Sequence, residues 1–217
     1  MCTCLQQVST LGSSIDTLLS VFTGSSLSAS EYVVFNDDCG VLPGATVTVS
    51  HRHSCVTFTA TVGVQYYIQV DGYNAAGAVV LNVQVPPVND LFVNRITLTP
   101  RVRVSGSSVG AVLEGGEPVQ YADAVGSVWY RYVATSSRTT VTTADSNFDT
   151  VLAVYKGPSL SNLATTGNRL ARNDDCSSSV TTTSCVTFSS TSGKAYFIQV
   201  AGFNSASGTV SILARPA

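Results

Sequence analysis

Short stretches of alternating apolar and polar residues run through the second half of this chain, bounded by Gly, Ser, Asn and Pro. They fall at 101–105, 109–114, 127–134, 139–143, 150–155, 168–172, 184–189, 195–201 and 209–213. A period of two, with Val, Thr, Tyr and Phe in excess, predicts β-strands. In Tyr196-Phe197-Ile198-Gln199-Val200 the alternation sets Tyr196, Ile198 and Val200 on the core face and turns Phe197 outward. Val186 and Phe188 make the same kind of face after Cys185. No segment keeps a helical period. Eight or nine short strands predict an all-β, jelly-roll-like antiparallel β-sandwich, since a set that size buries one face by folding into two sheets.

The first half repeats this pattern in outline. D-T-L-L-S-V-F-T-G at 16–24 returns as D-T-V-L-A-V-Y-K-G at 149–157, and N-D-D-C at 36–39 returns at 173–176. S-C-V-T-F at 54–58 returns at 184–188, and Y-Y-I-Q-V-D-G-Y-N at 66–74 as Y-F-I-Q-V-A-G-F-N at 196–204. Four blocks in one order predict tandem copies of one folding unit, 1–86 and 87–217, joined at Pro86-Pro87. The first copy is shorter. Asp149 lies 60 positions after Asn89, whereas 15 residues precede Asp16. Nothing in unit one matches 89–132, so it is expected to lack about three strands and to leave core and sheet edges uncovered. We read it as N-terminally truncated, and the start M-C-T-C-L-Q-Q, which has no basic signal region, as lying partway into a longer protein.

Charged residues are 11% of the 217 and the net charge is −2. Basic residues are scattered, so there is no patch to neutralise phosphates, and nucleic acid is not an expected partner. No apolar run reaches the roughly 18 residues of a membrane span. The cysteines sort by the repeat: one disulfide per unit is the simplest reading, Cys39 with Cys55 and Cys176 with Cys185, leaving Cys2 and Cys4. Such pairing implies an oxidising compartment, so the chain is expected to be secreted or at the cell surface. Zinc is the competing use of these thiols, but their spacings lack the C-x-x-C knuckle.

Several motifs, in order, carry a family resemblance. N-D-L-F-V-N-R-I-T-L (89–98), E-G-G-E-P-V (114–119), S-V-W-Y-R-Y (127–132), F-D-T-V-L-A-V-Y (148–155), N-D-D-C and Y-F-I-Q-V-A-G-F together resemble the bacterial pre-peptidase C-terminal domain. The match spans about 89–217 in full and 8–85 in part. It implies a jelly-roll module appended to a secreted peptidase or other exported protein, non-catalytic, serving stabilisation, anchoring or substrate binding. Expected partners are an extracellular polymer or an upstream catalytic domain. A structural repeat of a matrix or surface protein is the alternative.

Calcium is the candidate cofactor. A hairpin of 150–155 with 168–172 brings Asp149 beside Asn173, Asp174 and Asp175, and unit one repeats this with Asp16, Asn36, Asp37 and Asp38. Hard oxygen donors in this number suit Ca²⁺. The competing reading, which turn chemistry favours, is that the same residues form Asx-turns that cap strand ends with their carboxylates in water. The resemblance implies a second calcium site at Asn89 and Asp90, with Glu114, Glu117 and Asp123 as auxiliary donors.

Three other signals point to chemistry. Asp16-Thr17 and Asp149-Thr150 give one D-T per half, as in paired-carboxylate hydrolases, but Leu18 and Val151 follow where such a site needs glycine. Gly106-Ser107-Ser108-Val109-Gly110 fits the G-x-S-x-G pattern, yet no histidine follows Ser108, and we read a turn between strands. His51 and His53 alternate with Cys55 and, with Cys39, would make a zinc or copper set that Thr181 and Thr183 do not repeat. We read them as a solvent-facing pair. Tyr67 and Phe197 are expected on an outer sheet face, and Tyr73 and Phe203 in the following turn, as aromatics able either to dock a carbohydrate or protein polymer or to pack under neighbouring loops and cover the joint between the units.

Overall fold

Each half of the chain folds into two sheets of its own. The computed structural model describes residues 3–26, 29–39, 52–120, 126–176 and 182–217, and the chain divides into unit one, Met1–Pro86, and unit two, Pro87–Ala217. Unit one comprises β1 (Thr3–Ser9), β2 (Thr17–Gly24), β3 (Ser30–Asn36), β4 (Cys55–Thr61), β5 (Tyr66–Gly72) and β6 (Asn82–Gln84). They order as β4-β1-β6 and β3-β2-β5, all antiparallel.

Unit two comprises β7 (Ile96–Leu98), β8 (Arg103–Ser107), β9 (Ser127–Val133), β10 (Arg138–Thr142), β11 (Thr150–Tyr155), α1 (Leu160–Leu163), β12 (Arg169–Asn173), β13 (Cys185–Ser189), β14 (Ala195–Gly202) and β15 (Thr209–Pro216). Its sheets run β13-β10-β15-β8 and β12-β11-β14-β9-β7. Replace β1–β6 by β10–β15 and unit one's sheets become the first three strands, from one edge, of each unit-two sheet. Even the register shift recurs, between Val21 and Phe22 and between Val154 and Tyr155. Among the described residues unit one has no counterpart of β7, β8 or β9.

The core of unit two lies between its sheets. Val128, Tyr130, Tyr132, Leu152, Val154, Tyr196, Ile198 and Val200 from one layer meet Val141, Val186, Phe188, Val210, Ile212 and Ala214 from the other. Period-two alternation supplies every one of these positions. Unit one packs a smaller set, Val8, Leu19, Val21 and Val56, with half-buried Phe58, Tyr66, Ile68 and Val70 around it.

Two departures from the sequence reading matter. The stretch 109–114 is not a strand: a turn follows β8, and the chain then runs without regular pairing towards Glu117. Its alternation is interrupted by Gly110, which sits at φ 81°. The chain uses this segment to carry polar groups instead. Conversely, the three-residue β7 is too short to show a period, and it pairs parallel to β9, the one parallel pair among the described strands.

Candidate functional site

The acidic corners come from hairpin geometry. β2 and β3 pair antiparallel with Leu19 opposite Asn36, so Asp16, ahead of β2, meets Asp37 and Asp38, behind β3. One carboxylate oxygen from each of these three lies within 4.8 Å of the others. In unit two Leu152 pairs with Asn173, which puts Asp149 beside Asp174 and Asp175. Burial, and then the nearby Asp174 and Asp175 carboxylates, raise the pKa of Asp149. One buried oxygen of Asp16 and one of Asp149 accept no hydrogen bond among the described residues.

Asn36 and Asn173 do a different job. The Asn36 side chain accepts from the Cys55 amide at 2.9 Å and donates to the Asp38 carbonyl at 3.1 Å. Asn173 does the same with Cys185 at 2.8 Å and Asp175 at 2.8 Å. The asparagines therefore make the Asx-type turn, while the unpartnered oxygens of Asp16 and Asp149 face the same corners. Both disulfides close behind these turns, Cys39 to Cys55 with Cα atoms 5.2 Å apart and Cys176 to Cys185 at 5.0 Å. Cys39 and Cys55 are thus no thiolate ligands, which removes the zinc set with His53; His51, Thr181 and Cys2 lie outside the described residues. Cys4 is a free, exposed thiol.

Sequence reasoning missed a hydroxyl knot beneath each corner. Thr10 and Thr17 share a hydrogen bond of 2.6 Å, and the Ser54 amide donates to both. Thr143, Thr150 and Ser184 repeat it, again at 2.6 Å between the threonines. Ser54 and Ser184 also donate to the carbonyls of Asp37 and Asp174, at 2.5 and 2.6 Å, and of Thr17 and Thr150. All six residues are buried. The D-T threonine is thus a strand-end fastener, and the signal was available in S-C-V-T-F, whose serine recurs with its cysteine. Ser184→Ala removes the one hydroxyl hydrogen that the Thr150 and Asp174 carbonyls share, an expected loss of about 1–3 kcal/mol. A urea midpoint equal to that of the parent would contradict this role.

Ser108 is likewise structural. Its hydroxyl donates to the Gly208 carbonyl at 3.3 Å and accepts from the Gly208 amide at 3.1 Å, tying the end of β8 to the start of β15.

Asn89 and Asp90 occupy a second polar centre. Asn89 exchanges main-chain and side-chain hydrogen bonds with Trp129 at 2.9 and 3.0 Å. Asp90, 1% exposed, accepts from the Val112 amide at 2.8 Å with one oxygen, while the other is buried without a partner among the described residues. Burial, with the Glu114 charge as a smaller cause, raises its pKa to about 7. Glu114 accepts from the Phe92 amide at 2.9 Å. Glu117 accepts from the Glu114 amide at 2.8 Å, from Gln199 at 2.7 Å and from the Ser127 hydroxyl, and burial raises it too to about 7. Asp123 lies outside the described residues.

Of the aromatic candidates, Phe197 is corrected: it is 7% exposed. A 3₁₀ turn, Phe92–Asn94, and α1 cover the outer face of β11 and β14, burying Phe197 with Phe92, Trp129, Tyr155 and Leu163. Phe92 and Phe197 sit 5.0 Å apart, with the Arg95 guanidinium over both rings. Alternation alone cannot foresee a second covering layer. Tyr67 is half-buried, while Tyr73 and Phe203 are exposed. Their amides donate to the Asp16 and Asp149 carbonyls at 2.9 and 3.0 Å, so the backbone of each exposed aromatic turn is tied to the aspartate that opens its unit's acidic corner. The turn needs its G-[YF]-N sequence. A side chain at Gly72 or Gly202 would strike the carbonyl of Ala75 or Ala206, and Asn74 and Asn204 sit at φ 52° and 50°.

The class defined by these features is an all-β protein of disulfide-cross-linked antiparallel sheets. No helix among the described residues is long and apolar enough to cross a membrane. No protein-family model matches the sequence, and no curated protein does. Among solved structures the chain is similar to the pre-peptidase C-terminal domain of a collagenase from Bacillus anthracis, at 10% identity and a TM-score of 0.35, covering 56% of this chain and 94% of that one.

Proposed function

We propose that this chain is a non-catalytic accessory part of an exported protein, two pre-peptidase C-terminal-like sandwiches in tandem that anchor it to an extracellular polymer. The observation that carries this reading is the repeated pairing of an exposed aromatic turn with an acidic corner, Tyr73 at Asp16 and Phe203 at Asp149. Ring faces dock sugars or peptide planes, and a carboxylate cluster holding Ca²⁺ fixes the turn beside them. The donors fit the ion: Asp16, Asp37 and Asp38 converge, with an unpartnered Asp16 oxygen among them, and Ca²⁺ completes six to eight oxygens with carbonyls and water. Cross-linking in both units supports an oxidising, extracellular setting.

The test is retention on insoluble collagen, cellulose and chitin with calcium and with chelator. Retention on one polymer is expected, lost by Tyr73→Ala with Phe203→Ala and weakened by chelator. Calcium is also expected to raise the melting temperature, and Asp37→Asn with Asp38→Asn to remove unit one's share of the rise. No retention on any polymer would favour the structural repeat, and an unchanged melting curve would end the calcium reading.

A further inference from the structure

Beneath the irregular segment of unit two, five buried polar side chains meet on the outer face of a sheet. Ser127 lies opposite Ala201 and Trp129 opposite Gln199, so Ser127 and Gln199 are diagonal neighbours on β9 and β14. Ala153 lies opposite Gln199 and Tyr155 opposite Phe197, which sets Tyr155 on the other diagonal. The segment after β8 brings Glu117 and Gln120 to the same face, as their hydrogen bonds to Gln199 show. Ser127 and Gln199 are 0% exposed, and the other three are buried as well.

The hydrogen bonds in this group have a direction. The Ser127 hydroxyl donates to Glu117 Oε1, and Gln199 Nε2 donates to that same oxygen at 2.7 Å. Gln199 Nε2 also lies 3.3 Å from Ser127 Oγ, so the carboxamide carbon, Cδ, is one bond away from an atom already in contact with the hydroxyl. On the other side, the Gln199 carbonyl oxygen accepts from Gln120 Nε2 at 2.8 Å and from the Tyr155 hydroxyl at 2.9 Å. A hydroxyl held on a carboxylate, beside an amide whose oxygen takes two donors, is the constellation of acyl transfer. Packing alone is served at lower cost by an amide than by a buried carboxylate.

We propose that Ser127 and Gln199 become joined by an intramolecular ester, formed once by the chain on itself with release of ammonia. Ser127 Oγ adds to Gln199 Cδ while its proton passes to Glu117. Gln120 and Tyr155 hold the negative charge that develops on the Gln199 oxygen. The intermediate collapses by breaking the Cδ–Nε2 bond, and Glu117 returns the proton to the departing nitrogen, which leaves as ammonia. One C–O bond replaces one C–N bond, the carboxylate is regenerated, and no oxidant or cofactor is consumed. Burial keeps water from the ester, and dilution of the ammonia prevents return. The product ties β9 covalently to β14, the central strand of its sheet. In unit one the repeat sets Gln69 at the place of Gln199 but Phe22 at the place of Tyr155, so a donor is missing and no ester is expected at Gln69.

Intact-mass spectrometry of the full chain, with its disulfides reduced, tests this. The chain is expected to weigh less than its sequence by one molecule of ammonia. Digestion is expected to yield a species that joins the peptides of β9 and β14 through Ser127 and Gln199, and hydroxylamine to separate it. Ser127→Ala and Glu117→Gln are each expected to keep the full mass, with unchanged Trp129 emission showing that unit two is folded. A parent chain of full mass would overturn the proposal. So would loss of ammonia without the joined peptides, a link that survives hydroxylamine, or complete cross-linking in either variant.

Discussion

Replacing Cys39 and Cys55 by serine is expected to unfold unit one while unit two stays native. On the loop-entropy account a cross-link spanning 16 residues restricts the unfolded chain by about 3 kcal/mol. Unit one has little to set against that loss. Among the described residues its buried apolar set beyond Cys39 is Val8, Leu19, Val21 and Val56, whereas the core cluster of unit two runs from Leu98 to Ala214. The same exchange at Cys176 and Cys185 removes a similar contribution, about 2.6 kcal/mol for a separation of 9. There a closed core remains to absorb it. The readout is convenient because the chain's single tryptophan, Trp129, is buried in unit two. Its emission should be unchanged by Cys39→Ser with Cys55→Ser, while amide protection in β1–β6 disappears. Retained protection in those strands would falsify the claim that unit one depends on its cross-link.

Acid is expected to stabilise unit two in the presence of chelator, the reverse of the usual carboxylate behaviour. Asp90 and Glu117 have folded-state pKa values raised to about 7 by burial, from 3.8 and 4.5. A raised pKa means the folded chain holds protons that the unfolded chain has released between those values. The stabilisation is therefore fully present below about pH 4, falls as pH rises, and is gone above about 7. Shifts of this size correspond to on the order of 3–4 kcal/mol per group. The melting temperature of unit two should drop between pH 5 and 8, and Glu117→Gln should flatten part of that slope. Asp149 moves in the same direction and adds to the trend. A unit-two melting temperature that rises steadily over that interval would refute this assignment.

Much of the fold was legible because strands such as β2, β10 and β13 are buried on one face at a period of two. β11 falls where alternation and the flanking Asp149 and Gly157 place it, and the repeat carries the pattern back into unit one. What escaped was whatever has no period. β7 has three residues, and 109–114 alternates without becoming a strand because its backbone turns at Gly110 and its amides go to carboxylates such as Asp90. Phe197 was misplaced for a related reason: alternation tells inner from outer face but not whether a 3₁₀ turn and a four-residue helix cover the outer one. At the acidic corners the sequence showed which residues gather. It did not show the division of labour, in which Asn36 and Asn173 fasten the turn, since that depends on where two amides, of Cys55 and Cys185, happen to point.

The threonine of each Asp-Thr pair is fixed by Thr10 or Thr143 and by a serine beside a cystine, inside a strand that continues into aliphatic residues. Any search that scores an isolated D-T as an acid protease signature will therefore gather sandwich domains of this kind by mistake. A Ser-Cys pair some thirty-five residues downstream distinguishes them, because it marks a knot that holds a strand end rather than a carboxylate that shares a proton.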